Sequence, residues 1–199
     1  MFPLEVVLFP GMPLPLHIFE PRYKAMVASC IHQRLEFGII LAAGTNLAKI
    51  GCTAEIVEKL KEYPDGRMDI LCEGRALFRL IKVLNEKEYQ EAIADYLPED
   101  VLRKDSEQEA QLIERFQLCH VLVFGEQWIT SSRDSGLSLA FQMAARLPLE
   151  LDAKQNLLEI PDEHARQAFL LLQINELLPQ LAQRQRLRKI AGGNGHGPN

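Results

Sequence analysis

The chain has 199 residues, 47% of them hydrophobic and 25% charged, enough to bury a core as one large domain or two small ones. A net charge of -5 argues against nucleic acid as the main partner, because phosphate binding wants a basic face. Prolines interrupt the first sixteen residues and the apolar runs fall far short of the roughly twenty residues of a membrane span, so a soluble cytoplasmic protein without an export signal is expected.

In Leu4 to Val27, Pro10, Gly11, Pro13 and Pro15 stand among apolar residues. They forbid a helix and predict a short strand, a turn and an extended apolar segment. Pro21 suits the first position of a helix, which the pattern carries to about Gln33. Phe37 to Ala42 is a continuous apolar run, short enough for a central strand buried on both faces. Pro64-Asp65-Gly66 separates two alternating runs and reads as the turn of a β-hairpin, with Met68, Ile70 and Cys72 on its inner face. Ala92, Ala94 and Tyr96 alternate again after a turn at Asn85 to Glu88.

Pro98-Glu99-Asp100 marks a change to helical period. Ser106 with Glu109 forms a capping box before a helix that passes through Ala110, Ile113 and Phe116 to about Phe124. A second helix is predicted from Ser135 through Leu139, Met143 and Leu147, stopped by Pro148. Asp152 with Gln155 opens a third. Asp162 caps a fourth with the stripe Ala165, Phe169, Leu172 and Leu177, which Pro179 should kink or end. The division expected is a β-rich subdomain over 1–100, a helical subdomain over 101–190 and a glycine-rich disordered tail over 191–199.

Catalytic chemistry finds no support. There is no G-x-x-x-x-G-K-[ST] loop, and the four cysteines, Cys30, Cys52, Cys72 and Cys119, lack C-x-x-C spacing and read as reduced core thiols. Cys119-His120 are neighbours on a helix, where they point about 100° apart and cannot act as nucleophile and base. The five histidines share no i, i+4 spacing, so neither a metal nor a cofactor is expected. Carboxylate pairs such as Glu58 with Glu62 read as solvated faces.

Binding has better candidates. Met12 and Leu14 sit between prolines, where a pre-set backbone displays side chains at low entropic cost; the competing role is core packing. Phe19 and Trp128 complete the apolar candidates, Trp128 as an anchor for a partner or for the junction between halves. Arg75 and Arg79 share a strand face and, with Arg67, form a candidate basic patch, unless Glu73 or Asp69 neutralise them. The basic run Arg184 to Lys189 has no interleaved aromatics and suits a helix C-terminus.

One ordered series of motifs goes further. It comprises Phe9-Pro10-Gly11 with Pro15-Leu16, Ile18-Phe19-Glu20-Pro21-Arg22-Tyr23, Ile50 to Ile56, Asp65-Gly66-Arg67, Gly74-Arg75 and Phe78-Arg79, then more weakly Leu147-Pro148 and Lys154 to Glu159. In this series the chain resembles the amino-terminal substrate-binding domain of the Lon protease family, over roughly residues 1 to 178. The resemblance implies an α+β fold: an amino-terminal PUA-like β-barrel with one inserted helix, followed by a carboxy-terminal helical bundle. It implies a non-catalytic module that recognises exposed apolar segments of unfolded or client polypeptides, as an adaptor or scaffold beside a protease or chaperone. The ATP-binding loop and the serine–lysine peptidase domain of those proteases find no place in 199 residues, so no enzyme activity is expected. The alternative is an RNA-binding PUA-like module that contacts phosphates through Arg67, Arg75 and Arg79.

Overall fold

A computed structural model describes residues 1–44, 46–84, 89–98, 107–128 and 136–193. In chain order the elements are β1 (Phe2–Leu4), β2 (Pro13–Ile18), α1 (Pro21–Gln33), β3 (Phe37–Ala43), β4 (Asn46–Leu47), β5 (Ile50–Glu62), β6 (Met68–Leu84) and β7 (Glu91–Tyr96). The helices α2 (Glu107–Phe124), α3 (Leu139–Ala144), α4 (Leu151–Glu159) and α5 (Glu163–Gly193) follow. The expected turn at 85–88, the caps at Ser106 and Ser135 and the tail from 194 lie outside the described residues.

The hairpin turns where the sequence places it. Gly66 takes φ 78°, and Asp65 Oδ1 accepts the Arg67 N–H at 3.1 Å, closing the turn. β6 is the spine of the sheet. It pairs with β5 along one edge, while its other edge is shared by β2 over Met68 to Glu73 and by β7 over Phe78 to Leu84. The sheet runs β1-β3-β5-β6-β2, with β4 on β3 and β7 on β6. In place of the expected barrel, this path is open, with β1 and β2 at its ends.

β3 is buried on both faces as its apolar run requires: Ile39 packs in the main core and Ile40 packs with Met1 and Phe78 on the opposite face. Pro21 starts α1, and Arg34 ends it in the left-handed region at φ 54°. The alternation in β7 differs from expectation. Ala94 is exposed and Tyr96 is 68% exposed, because this strand lies at the sheet edge, where Ala92, Ala94 and Tyr96 line an open cleft of about 370 Å³ against Met26, Leu35 and Phe37.

The helices occupy their expected stretches with different faces inward. In α2 the buried residues are Glu109, Leu112, Phe116, Cys119 and His120, and Ala110 is exposed. In α5 they include Arg166, Leu170, Ile174 and Leu181, while Ala165 and Leu172 are exposed. Both inner faces carry polar residues that hydropathy assigns to solvent. α3 starts at Ser138, whose hydroxyl accepts the Phe141 N–H at 3.1 Å. Asp162 caps α5 through Ala165 N–H at 2.7 Å, and the helix continues past Pro179, which lies on its exposed face.

One core cluster runs through both halves, joining Phe9 and Cys72 to Phe116, Phe141 and Leu170. Across the same junction, Gln155 of α4 donates to the Ile50 carbonyl of β5 at 3.0 Å. Among the described residues no helix is long and apolar enough to cross a membrane.

Candidate functional site

The loop between β1 and β2 is docked on the middle of β6. Gly11 N–H donates to the Gly74 carbonyl at 2.8 Å, and Gly74 N–H returns to the Met12 carbonyl at 3.0 Å. Gly74 permits this approach because a Cβ there would run into the Phe9 carbonyl oxygen. Phe9 then stacks on Phe141 with centroids 5.0 Å apart, so α3 stands opposite the loop. Between them lies a notch of about 340 Å³ lined by Pro10, Met12 and Pro13 on the loop and by Leu137, Phe141 and Arg146 on the helical side.

Arg146 connects this notch to the tryptophan. Its guanidinium lies over the Trp128 ring at 5.4 Å and donates to the Gln142 carbonyl at 2.7 Å. Burial of part of the side chain holds its pKa below the ordinary arginine value, though the group stays cationic. Trp128 meets Phe116 edge-on at 5.0 Å, and Gln117 holds its backbone through bonds of 3.0 and 2.7 Å. Met12 and Trp128 therefore flank one site. The sequence contained no signal for Leu137, Phe141 and Arg146, which join it only through the docking of α3.

The other two apolar candidates lie elsewhere. Leu14 is buried in the core, because β2 turns Pro13, Pro15 and His17 outward and Leu14 and Ile18 inward; it is not displayed to a partner. Phe19 is 58% exposed but lies roughly 20 Å along the chain from the loop, six residues at strand rise. Its ring stacks on His17, whose Nδ1 is 2.5 Å from Asp69 Oδ1, and Tyr63 OH donates to Asp69 Oδ2 at 2.9 Å.

The hydrogen bond with His17, then that from Tyr63, holds the Asp69 carboxyl below its ordinary value of 3.8. A depressed carboxyl stabilises the fold above its unfolded pKa, and this contribution is lost as pH falls through the folded value. Asp69→Asn is thus expected to flatten the acid limb of a stability–pH curve below about pH 4, measured by urea unfolding between pH 2 and 6. An unchanged limb would count against the pairing.

The three arginines do not form one patch. Arg67 pairs with Asp65 at 2.7 Å at the turn, roughly 26 Å along β6 from Arg75. Arg75 lies between Glu55 at 2.6 Å and Glu73 at 2.7 Å, and Arg79 is exposed in register with Asp95. All four cysteines are buried thiols outside any disulfide; burial pushes the Cys72 thiol up to about 12 and that of Cys119 to about 11, far from a reactive thiolate. His120 faces away from such chemistry, its Nδ1 2.8 Å from the Glu126 carbonyl oxygen. Among the described residues no group of three or more histidine, cysteine or acidic side chains converges as a metal site.

The comparisons agree with this architecture. Residues 1–176 match the family model of the ATP-dependent protease La (LON) substrate-binding domain. Lon protease of Escherichia coli strain K12 is 28% identical over 92% of this chain and 25% of its own length. Lon protease of Vibrio parahaemolyticus is 29% identical over 92% of this chain and 25% of its own. The chain thus spans about a quarter of the length of the curated relatives it matches. The crystal structure of a Lon N-terminal domain protein from Xanthomonas campestris aligns with TM-score 0.63 at 24% identity, over 86% of this chain and 95% of that one. The N-terminal domain of a Mycobacterium avium complex Lon protease aligns with TM-score 0.61 at 16% identity, over 87% and 96%. Because the matching segment takes in both the sheet and the helices that enclose the notch, the chain belongs to the Lon substrate-binding domain family.

Proposed function

We propose that this chain is a polypeptide-binding module that captures exposed apolar segments of unfolded or client proteins at the notch between the proline loop and α3. It would act as a non-catalytic adaptor or scaffold for a cytoplasmic protease or chaperone. The observation that carries the reading is the family match over residues 1–176, which contains every residue of the notch. In the same reading the chain has two subdomains, 1–100 and 101–190, and the sheet is the PUA-like element of the first.

The loop suits weak, reversible capture. Pro10 and Pro13 pre-set the backbone, so little conformational entropy is lost on binding, and Met12 supplies a polarisable side chain that adapts to different apolar groups. Affinity would come from one or two seated side chains rather than from area.

Fluorescence anisotropy with a labelled unfolded polypeptide at two salt concentrations tests this. Saturable binding that tolerates salt is expected, weakened about fivefold by Met12→Ser, the effect of losing ~1 kcal/mol of apolar contact. Binding of a labelled hairpin RNA alone, falling steeply with salt, would instead favour the RNA-binding alternative.

A further inference from the structure

Apolar residues make up most of the notch lining, with Gln142 and Arg146 as the polar side chains on its helical wall. Its loop wall offers no backbone donor: Pro10 and Pro13 have no N–H, while those of Gly11 and Met12 are committed to Gly74 and Phe9 carbonyls at 2.8 and 3.0 Å. Arg146 supplies the charge. One of its N–H groups bonds the Gln142 carbonyl at 2.7 Å, and among the described residues no carboxylate pairs with it. A guanidinium has five N–H donors in a fork, so most of this one remains for a planar anion.

An internal segment of polypeptide entering the notch would place its peptide carbonyls against a loop wall that has no N–H to offer them. A chain end avoids this cost. It carries an apolar side chain and a carboxylate on the same Cα, so one residue can fill the apolar space and meet the Arg146 guanidinium.

We propose that the notch receives the free carboxyl terminus of a polypeptide whose last residue is apolar, with that side chain between Met12 and Phe141 and the terminal carboxylate held by the Arg146 fork. The inference rests on the substrate-binding reading above and names the feature of the substrate that is recognised. The partial desolvation that lowers the Arg146 pKa strengthens such a charge-assisted bond.

The test uses three short labelled peptides of the same apolar sequence. One ends in a free phenylalanine carboxylate, one in phenylalanine amide, and one in the amide with a glutamate placed inside. The free acid should bind about tenfold more tightly than either amide, and Arg146→Gln should remove that preference with Arg146→Lys intermediate. Melting temperatures near wild type would show that the rim variants fold, and the acid-to-amide comparison needs no variant.

Equal affinity for acid and amide, an internal glutamate that restores binding, or a preference that survives Arg146→Gln would each overturn the proposal. The unfolded polypeptide is titrated in parallel. If it binds and responds to Met12→Ser while acid and amide bind alike, the chain-end inference fails and the substrate-binding reading stands. If neither polypeptide nor peptide binds, both fail.

Discussion

Glu163→Ala is expected to destabilise the fold by about 3–5 kcal/mol, the cost of breaking a buried ion pair from one side. Arg166 is 0% exposed and Glu163 2%, and their charged groups lie 3.7 Å apart. The Arg166 guanidinium packs over Phe141 at 4.2 Å and donates through Nε to the Ile160 carbonyl at 2.7 Å. The Glu163 carboxylate accepts from Ser138 Oγ at 2.5 Å, Ala140 N–H at 3.1 Å and Gln167 Nε2 at 3.2 Å. Deleting it removes a carboxylate from beside a buried cation and takes the acceptor from three donors at once.

The loss should also reach the notch. The same carboxylate holds the N-terminus of α3, and that helix carries Phe141, with Arg146 just past its end. Urea unfolding gives the stability change, and polypeptide anisotropy in the folded baseline gives the binding change. Glu163→Gln combined with Arg166→Met should recover much of the stability, because replacing both charges by neutral groups removes the desolvation cost of the buried pair. A loss below about 1 kcal/mol for Glu163→Ala would show that the network contributes nothing.

Gly74→Ala should cost about 2–3 kcal/mol and weaken polypeptide binding, because one added methyl group acts on two structures. The new Cβ would meet the Phe9 carbonyl backbone, which cannot swing aside as a flexible side chain can. Relief requires the loop to lift from β6. That breaks the paired bonds of Gly11 and Met12 with Gly74 and disturbs the Phe9–Phe141 stack that spaces the notch. Gly66→Ala is the control. It strains a positive φ of 78° in open surroundings, so a local cost of about 1 kcal/mol with binding intact is expected. Thermal unfolding and anisotropy on both variants separate the two outcomes; equal effects would mean that the docked loop does not matter.

Part of the site was visible in advance. Pro10 to Pro15 marked a rigid apolar loop and Trp128 an isolated large anchor, and both border the notch or its rim. Leu14 illustrates the limit: proline flanks describe its backbone, while the pairing of β2 with β6 determines which way its side chain turns. The arginines illustrate another. Spacing along β6 put Arg75 and Arg79 on one face, yet Glu55, which neutralises Arg75, comes from the neighbouring strand.

The sequence by itself determined the features set by local geometry. These are the hairpin at Asp65-Gly66, the helix that begins at Pro21, the doubly buried strand from Phe37, the stretches that are helical, and the ordered motifs that place the chain in its family. Each follows from a φ restriction, a periodicity or a fixed order of residues along the chain. Only the tertiary structure decided which faces point inward. Glu109, His120, Glu163 and Arg166 look like solvent residues along the chain, yet all four are buried, Glu163 by bonding Ser138 and Ala140 at the start of α3, and this shifts the buried faces of α2 and α5. The same holds for the notch, whose walls come from a loop near the start of the chain and a helix far along it, so its existence depends on packing that no local pattern encodes.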